Sequence, residues 1–366
     1  MLIGVPAEIT AGETRVAITP ETAKKLKSQG HTIRVQSGAG VAASVPDEAY
    51  TAVGAEITSA AGAYAADIVL KVRCPLDGEV AHVKPGGVLV GMLNPFDATG
   101  LQRLAAAQLT SFALEAAPRT SRAQSMDVLS SQANIAGYKA VMMAADQYQR
   151  FFPMLMTAAG TVKAARVVVL GVGVAGLQAI ATARRMGAVI EASDVRPSVK
   201  EQVESLGAKF IDVPYETDEE REAAVGVGGY AKPMPPSWLE RQKAEVAKRV
   251  AQADIVITTA LIPGRAAPVL VTEDMVKSMK PGSVIVDLAA PQGGNCPLTE
   301  PGQTVIKHGV TLIGQTNVPC TRRGRCQRAL RPQPARLPQA HHHQGRCAQY
   351  RHGRRYCGGL PDDASR

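Results

Sequence analysis

The chain has 366 residues, 45% of them apolar, and a net charge of +9 at pH 7, a length beyond the size at which one hydrophobic core stops growing, so two domains are expected. The charge is no nucleic-acid signature, because residues 320–366 hold eleven Arg, no Lys and two Asp, leaving 30 basic and 30 acidic residues in 1–319. No apolar run approaches the ~20 residues that span a bilayer, and MLIGVPAEIT has no secretory pattern; with Cys74 and Cys296 as the only cysteines of 1–319, a soluble protein of a reducing compartment, the cytoplasm or an organelle lumen, is expected.

In chain order, short apolar runs alternate with helix-like segments. Leu2–Val5, Thr32–Val35, Asp67–Val72, Val88–Leu93 and Thr110–Leu114 read as strands. Pro20–Gly30 reads as a helix with Thr19 as N-cap, Pro20 in its first turn and Gly30 as its stop. Gly38, Gly40 and Ala43, followed by Glu56, imitate a nucleotide turn, but Pro46 falls where its helix would run, so this is read as a tight turn. After a polar stretch from Arg119, Ala133–Gln149 reads as a helix.

The strand rhythm resumes at Val167–Leu170, Val189–Ala192, Phe210–Val213, Asp254–Thr258 and Ser283–Leu288. Ser237–Ala253 is an amphipathic helix with Trp238, Val246 and Val250 on one face. Gly226–Ser237, rich in Gly and Pro with Tyr230 in its middle, is read as a mobile loop of the lid or binding type. This βαβ rhythm predicts an α/β fold of two parallel-sheet domains, about 1–130 and 131–319.

The stretch ARVVVLGVGVAGLQAIATARRMGAVIEASDVR, from Ala165 to Arg196, carries the strongest chemical signal. An apolar β-branched run stops at Gly171, and Gly173 and Gly176 complete a G-x-G-x-x-G spacing that encloses Val174 and Ala175. Gly171 permits a tight strand-to-helix turn, Gly173 a close backbone approach to a pyrophosphate, and Gly176 close packing of helix on sheet. The helix N-terminus offers unpaired N–H groups to phosphate. A second apolar run ends on Asp194, eighteen positions past Gly176 and followed by Val195 and Arg196, where a carboxylate can take ribose hydroxyls. A 2′-phosphate there would bring roughly −1.5 to −2 charges, each costing about 4 kcal/mol beside a carboxylate at ~4 Å and an effective dielectric near 20. The second domain is therefore read as a Rossmann domain that takes NAD rather than NADP, with the cofactor in the cleft between domains.

GVPAEITAGETRVAITPE, PRTSRAQSMDVLSSQANIAGYKA, GVGVAGLQAIATARRMGA, GGYAK, TTALIPG and KPGSVIVDLA with GGNCPLTEPG together resemble the NAD(H)-binding alpha subunits of proton-translocating NAD(P)+ transhydrogenases, which share their fold with alanine dehydrogenases. The resemblance covers about 1–319. It implies hydride exchange between NADH and NADP+, with NADP(H) held on a partner subunit and a further subunit in the membrane. It further implies a homodimer, attached peripherally to the inner membrane through those partners. Arg119, Gln124, Asp127 and Ser130 match the family's loop that holds the nicotinamide end and faces the NADP(H) domain. Asp194, Val195 and Arg196 match the adenosine-ribose site, Tyr230 a loop closing over the nucleotide, and Ala260–Leu261 the edge of the crevice. The resemblance also implies that Tyr138 and Met156–Thr157 line the interdomain side, where core packing is the equal alternative.

The rival enzyme needs a substrate site. Arg15 and Lys71 match the pair that grips pyruvate in alanine dehydrogenases, but Asn94 and Pro291 stand where that family has its acid–base His and Asp. Neither can shuttle a proton near neutral pH, so Arg15 and Lys71 are read as a salt-bridged support near the cleft. A non-catalytic NAD-binding protein is the third alternative. Beyond Pro319 the character breaks: residues 320–366 contain no Val, Ile, Phe, Met, Lys or Glu. This Arg/Pro/Gln/His/Cys-rich stretch replaces the apolar return helix that the family implies, and it reads as out-of-frame translation. It has no C-x-x-C pair for zinc, and nucleic acid is not expected as a partner.

Overall fold

The computed structural model describes residues 1–117, 120, 123–225, 234–261 and 264–320, all within one compact unit. Six strands, β1 (Leu2–Val5), β2 (Thr32–Gln36), β3 (Glu56–Thr58), β4 (Ile68–Arg73), β5 (Val88–Met92) and β6 (Thr110–Ala113), make a wholly parallel sheet in the order β3-β2-β1-β4-β5-β6. Helices α1 (Pro20–Ser28), α2 (Asp47–Thr51), α3 (Ala60–Tyr64), α4 (Asp77–Val80) and α5 (Ala98–Ala106) connect them. The Thr19 hydroxyl accepts the Thr22 N–H and Pro20 opens α1, as expected. Pairing of Ile3 with Ile33 and Val5 with Val35 stacks four buried side chains into the core.

The helix α6 (Val128–Gln147) leads to the second sheet, after the antiparallel hairpin β7 (Leu155–Thr157) and β8 (Gly160–Val162). Next come β9 (Arg166–Leu170), α7 (Val174–Arg185), β10 (Val189–Ser193), α8 (Lys200–Ser205), β11 (Lys209–Phe210), α9 (Asp218–Val225) and α10 (Pro236–Val250). The remaining elements are β12 (Ile255–Thr258), α11 (Glu273–Ser278), β13 (Val284–Asp287), β14 (Thr304–Lys307) and β15 (Val310–Ile313). The strand order is β11-β10-β9-β12-β13-β15-β14. β12 and β13 are buried at every position, the pattern of parallel strands covered on both faces. The sheet departs from purely parallel only at β14, joined to β15 through His308 and Gly309, both at positive φ, as a two-residue hairpin turn requires.

In each sheet the strand order reverses beside the first strand, between β1 and β4 and between β9 and β12. Doubly wound folds bind ligands at such switch points. Some boundaries differ from expectation. α6 starts at Val128 rather than Ala133 because the Asp127 side chain caps it, and β11 ends at Phe210 while Val213 turns in to pack with Trp238. The turn at Gly38 is closed on itself, since the Asp47 carboxylate accepts the Gly38 N–H and the Ser37 hydroxyl. Tyr138 and Met156 are 45% and 76% exposed, so neither is core.

Candidate functional site

β9 ends at Leu170 and the chain turns through Gly171 at φ 90°. A Cβ on Gly171 would lie 2.9 Å from the Thr259 hydroxyl and 3.0 Å from the Ala260 nitrogen, and one on Gly176 would lie 2.1 Å from the Gly171 carbonyl oxygen. Both glycines are therefore required by packing within the chain. Gly173 is different: a Cβ there meets nothing within 4 Å, so the space above it is open to a ligand. Gly173 is also the N-cap of α7 and supplies no side-chain cap. The first-turn N–H groups of Val174, Ala175 and Gly176 thus lack intrahelical acceptors and face where an anion is favoured. The cradle fits a pyrophosphate.

β10 delivers Asp194 to this turn. Its Oδ2 accepts the Val172 N–H at 2.7 Å. Arg196 closes on the same carboxylate: its backbone N–H and Nε donate to Oδ1 at 2.9 Å, and Nη2 donates to Oδ2 at 2.9 Å and to the Val172 carbonyl at 3.1 Å. Val195, between them, packs against the Trp238 cluster. On the other side of β9, the Thr259 hydroxyl donates to the Gly171 carbonyl at 2.7 Å. The buried Asn295 clamps Ala260, accepting its N–H at 3.1 Å and donating to its carbonyl at 2.8 Å. Leu261 is 37% exposed at the strand end. Gly171 to Gly176, Asp194, Arg196 and Ala260 are thus one cluster. In the sequence, only their place at a strand end and after a glycine pair marks Thr259 and Asn295.

Gln124 lies exposed in the short turn Gln124–Met126. Asp127 caps α6, its Oδ1 accepting the Ser130 N–H at 2.9 Å and its Oδ2 the Ser130 hydroxyl at 2.6 Å. α6 packs against α7, and Gly137 makes the approach possible, since a Cβ there would lie 2.1 Å from the Ala175 carbonyl oxygen. The helix capped by Asp127 therefore rests on the helix that starts at the glycine turn. Arg119 and Tyr230 lie outside the described residues.

The switch point of the first sheet holds a knot of buried charge. Arg15 and Lys71 are each 3% exposed. Arg15 pairs with Glu13 at 2.5 Å and donates to the Gln132 side chain on α6 at 2.6 Å. Glu13 also accepts from Arg73 at 2.9 Å, Asn317 at 3.2 Å and the Cys320 thiol at 3.0 Å. Lys71 pairs with Glu79 at 2.5 Å and Glu8 at 3.4 Å. Burial opposes the charge on Glu13, but the hydrogen bonds and charge of Arg15 outweigh it and hold the carboxyl well below its ordinary range. Asn94 has φ 53° and donates its N–H to Glu115, and Pro291 sits in a single 3-10 turn. Among the described residues no group of three or more His, Cys, Asp or Glu could hold a metal ion.

Two doubly wound α/β sheets, the second with a glycine turn and a carboxylate-ended strand, define a protein of the Rossmann class. Residues 4–136 match the alanine dehydrogenase/PNT N-terminal domain and residues 140–333 the alanine dehydrogenase/PNT C-terminal domain. The chain belongs to the alanine dehydrogenase/PNT family. It is 54% identical over 327 residues to an NAD(P) transhydrogenase alpha subunit chain of Rhodospirillum rubrum, covering 87% of this chain and 84% of that one. It is 32% identical over 331 residues to alanine dehydrogenase of Bacillus subtilis, covering 87% and 80%. A crystal structure of transhydrogenase from Sinorhizobium meliloti superimposes with a TM-score of 0.77 at 48% identity, covering 87% of each chain.

Proposed function

We propose that this chain is the NAD(H)-binding component of a proton-translocating transhydrogenase, passing hydride between NADH and NADP+ held on a partner subunit. The observation that carries the reading is Asp194, bonded to the middle of the glycine turn at the end of β10, where it favours ribose hydroxyls and repels a 2′-phosphate. The greater identity to a transhydrogenase alpha subunit than to an alanine dehydrogenase supports the choice of partner reaction. So do Asn94 and Pro291, which stand where alanine dehydrogenases carry their acid–base His and Asp and cannot shuttle a proton near neutral pH.

The bound coenzyme supplies the hydride. Gly173 and the first turn of α7 take the pyrophosphate, Asp194 the adenosine ribose, with Val195 and Arg196 beside it, and Ala260–Leu261 border the crevice. Gln124, Asp127 and Ser130, with Arg119, orient the nicotinamide end: Gln and Ser suit a carboxamide or ribose hydroxyl, and Asp127 fixes the Ser130 hydroxyl. Tyr230, outside the described residues, is carried as a nucleotide contact by the family resemblance alone. Direct transfer needs the two reacting rings within ~3–3.5 Å, so this end of the site faces the NADP(H)-binding partner. No described helix is long and apolar enough to cross a membrane, and attachment to the inner membrane runs through partner subunits. A homodimer is part of the reading. The hairpin β7–β8 supports it, with Met156 and Val162 exposed by 76% and 41% and Met154, just before it, by 58%.

The test mixes the full chain with an NADP(H)-binding transhydrogenase domain and follows reduction of an NADP analogue by NADH. Exchange that requires both proteins is expected. Binding of NADH without exchange would favour a non-catalytic NAD-binding protein, and alanine oxidation by the chain alone would favour the dehydrogenase.

A further inference from the structure

The Asp194 carboxylate has no acceptor capacity left over. An ionised carboxylate offers about four lone-pair sites, and four donors of this chain fill them: the N–H groups of Val172 and Arg196, and Nε and Nη2 of the Arg196 guanidinium. The two backbone donors position the carboxylate and cannot leave without undoing the turn. The two guanidinium donors can, because the Arg196 side chain is 22% exposed while Asp194 is 7% exposed. A ribose diol brings two hydroxyls, and the guanidinium holds two sites.

We propose that Arg196 is a displaceable placeholder: its guanidinium occupies the acceptor sites on Asp194 that the adenosine ribose of NAD(H) needs, and it must swing aside for the coenzyme to bind. The proposal rests on the reading of Asp194 as the ribose-binding acid. Its consequence is a standing penalty on NAD(H) affinity, because apparent affinity falls with the fraction of molecules in which the site is open. The same arginine acts oppositely on NADP(H), since its positive charge offsets part of the repulsion between Asp194 and a 2′-phosphate. Arg196 thus narrows discrimination between the two coenzymes from both sides. The bond from Nη2 to the Val172 carbonyl ties its release to the glycine turn.

The experiment is calorimetric titration of the full chain and two variants, Arg196→Met and Arg196→Lys, with NADH and with NADPH. Methionine keeps the stem and removes the donors. Lysine keeps the charge but, as a single point, cannot hold both acceptor sites as the guanidinium fork does. Arg196→Met should bind NADH about three- to fivefold more tightly, the range expected for a partly exposed ion pair, with no gain for NADPH. Arg196→Lys should fall between parent and Arg196→Met. Unchanged or weaker NADH binding in both variants would overturn the proposal, as would equal tightening for both coenzymes. Either result with a parent chain that binds NADH defeats the placeholder alone. A parent chain that does not bind NADH defeats the coenzyme reading and the placeholder with it.

Discussion

The carboxylate of Asp194 accepts the N–H of Val172 at 2.7 Å, although the two residues stand 22 positions apart. Asp194 and the glycine turn are therefore one mechanical unit: Gly171 donates to Ser193 across the same strand ends, and moving the acid moves the turn. Asp194→Asn can keep the Val172 bond through its amide oxygen while losing the charge. The preference for NADH over NADPH should fall about tenfold or more, measured as the ratio of dissociation constants. Asp194→Ala, which loses the bond as well, should weaken NADH binding further.

Gly173 and Gly176 separate binding from folding. Gly176→Ala forces a Cβ to 2.1 Å from the Gly171 carbonyl oxygen, so it should lower thermal stability by about 1–3 kcal/mol and NADH affinity together. Gly173→Ala places its Cβ where nothing of the chain lies within 4 Å. Its melting temperature should stay near the parent's while NADH binding drops about tenfold or more. Retained affinity in a folded Gly173→Ala chain would show that the space above Gly173 does not hold the pyrophosphate.

Gln124 and Asp127 divide chemistry from structure in a similar way. Gln124 is exposed, so Gln124→Asn should leave stability unchanged and slow hydride exchange in the reconstituted system more than it weakens NADH binding. Asp127→Ala removes the cap of α6 and the acceptor for the Ser130 hydroxyl. It should cost about 1 kcal/mol in denaturant unfolding and slow exchange as well.

Glu13 ties stability to pH. Its folded carboxyl sits well below its ordinary 4.5, so in the window below that value the unfolded chain binds a proton that the folded chain does not. Its contribution is fully present above about 4.5 and drains away as pH falls toward the folded value. Glu8, pushed up by burial, acts in the opposite sense. Glu13→Gln should destabilise the chain at neutral pH by about 3–5 kcal/mol, because Arg15 loses its buried partner, and its stability should fall less steeply in acid. Denaturant midpoints at pH 7 and pH 4 measure both effects.

The parts of the fold legible in the sequence are those set by neighbours along the chain. β1 keeps the bounds Leu2–Val5 read from its apolar run, and Thr19 caps α1 through its own next turn. The β9–α7–β10 unit follows from glycine spacing between two apolar runs. What escaped depends on distant pairings. Thr259 reaches Gly171 across 88 positions because β12 lies beside β9, and Glu13 meets Asn317 and Cys320 across 304 and 307. Arg196 is only two positions from Asp194, yet its fold-back onto the carboxylate is a side-chain choice that no residue pattern records. The edge strand β3 and the hairpin strands β7 and β8 carry only three residues each, too few for periodicity to mark them.

In equilibrium titration of the full chain under one set of conditions, saturable NADH binding is expected, with NADPH weaker by about tenfold or more. Equal affinity for the two coenzymes, or tighter binding of NADPH, would contradict it.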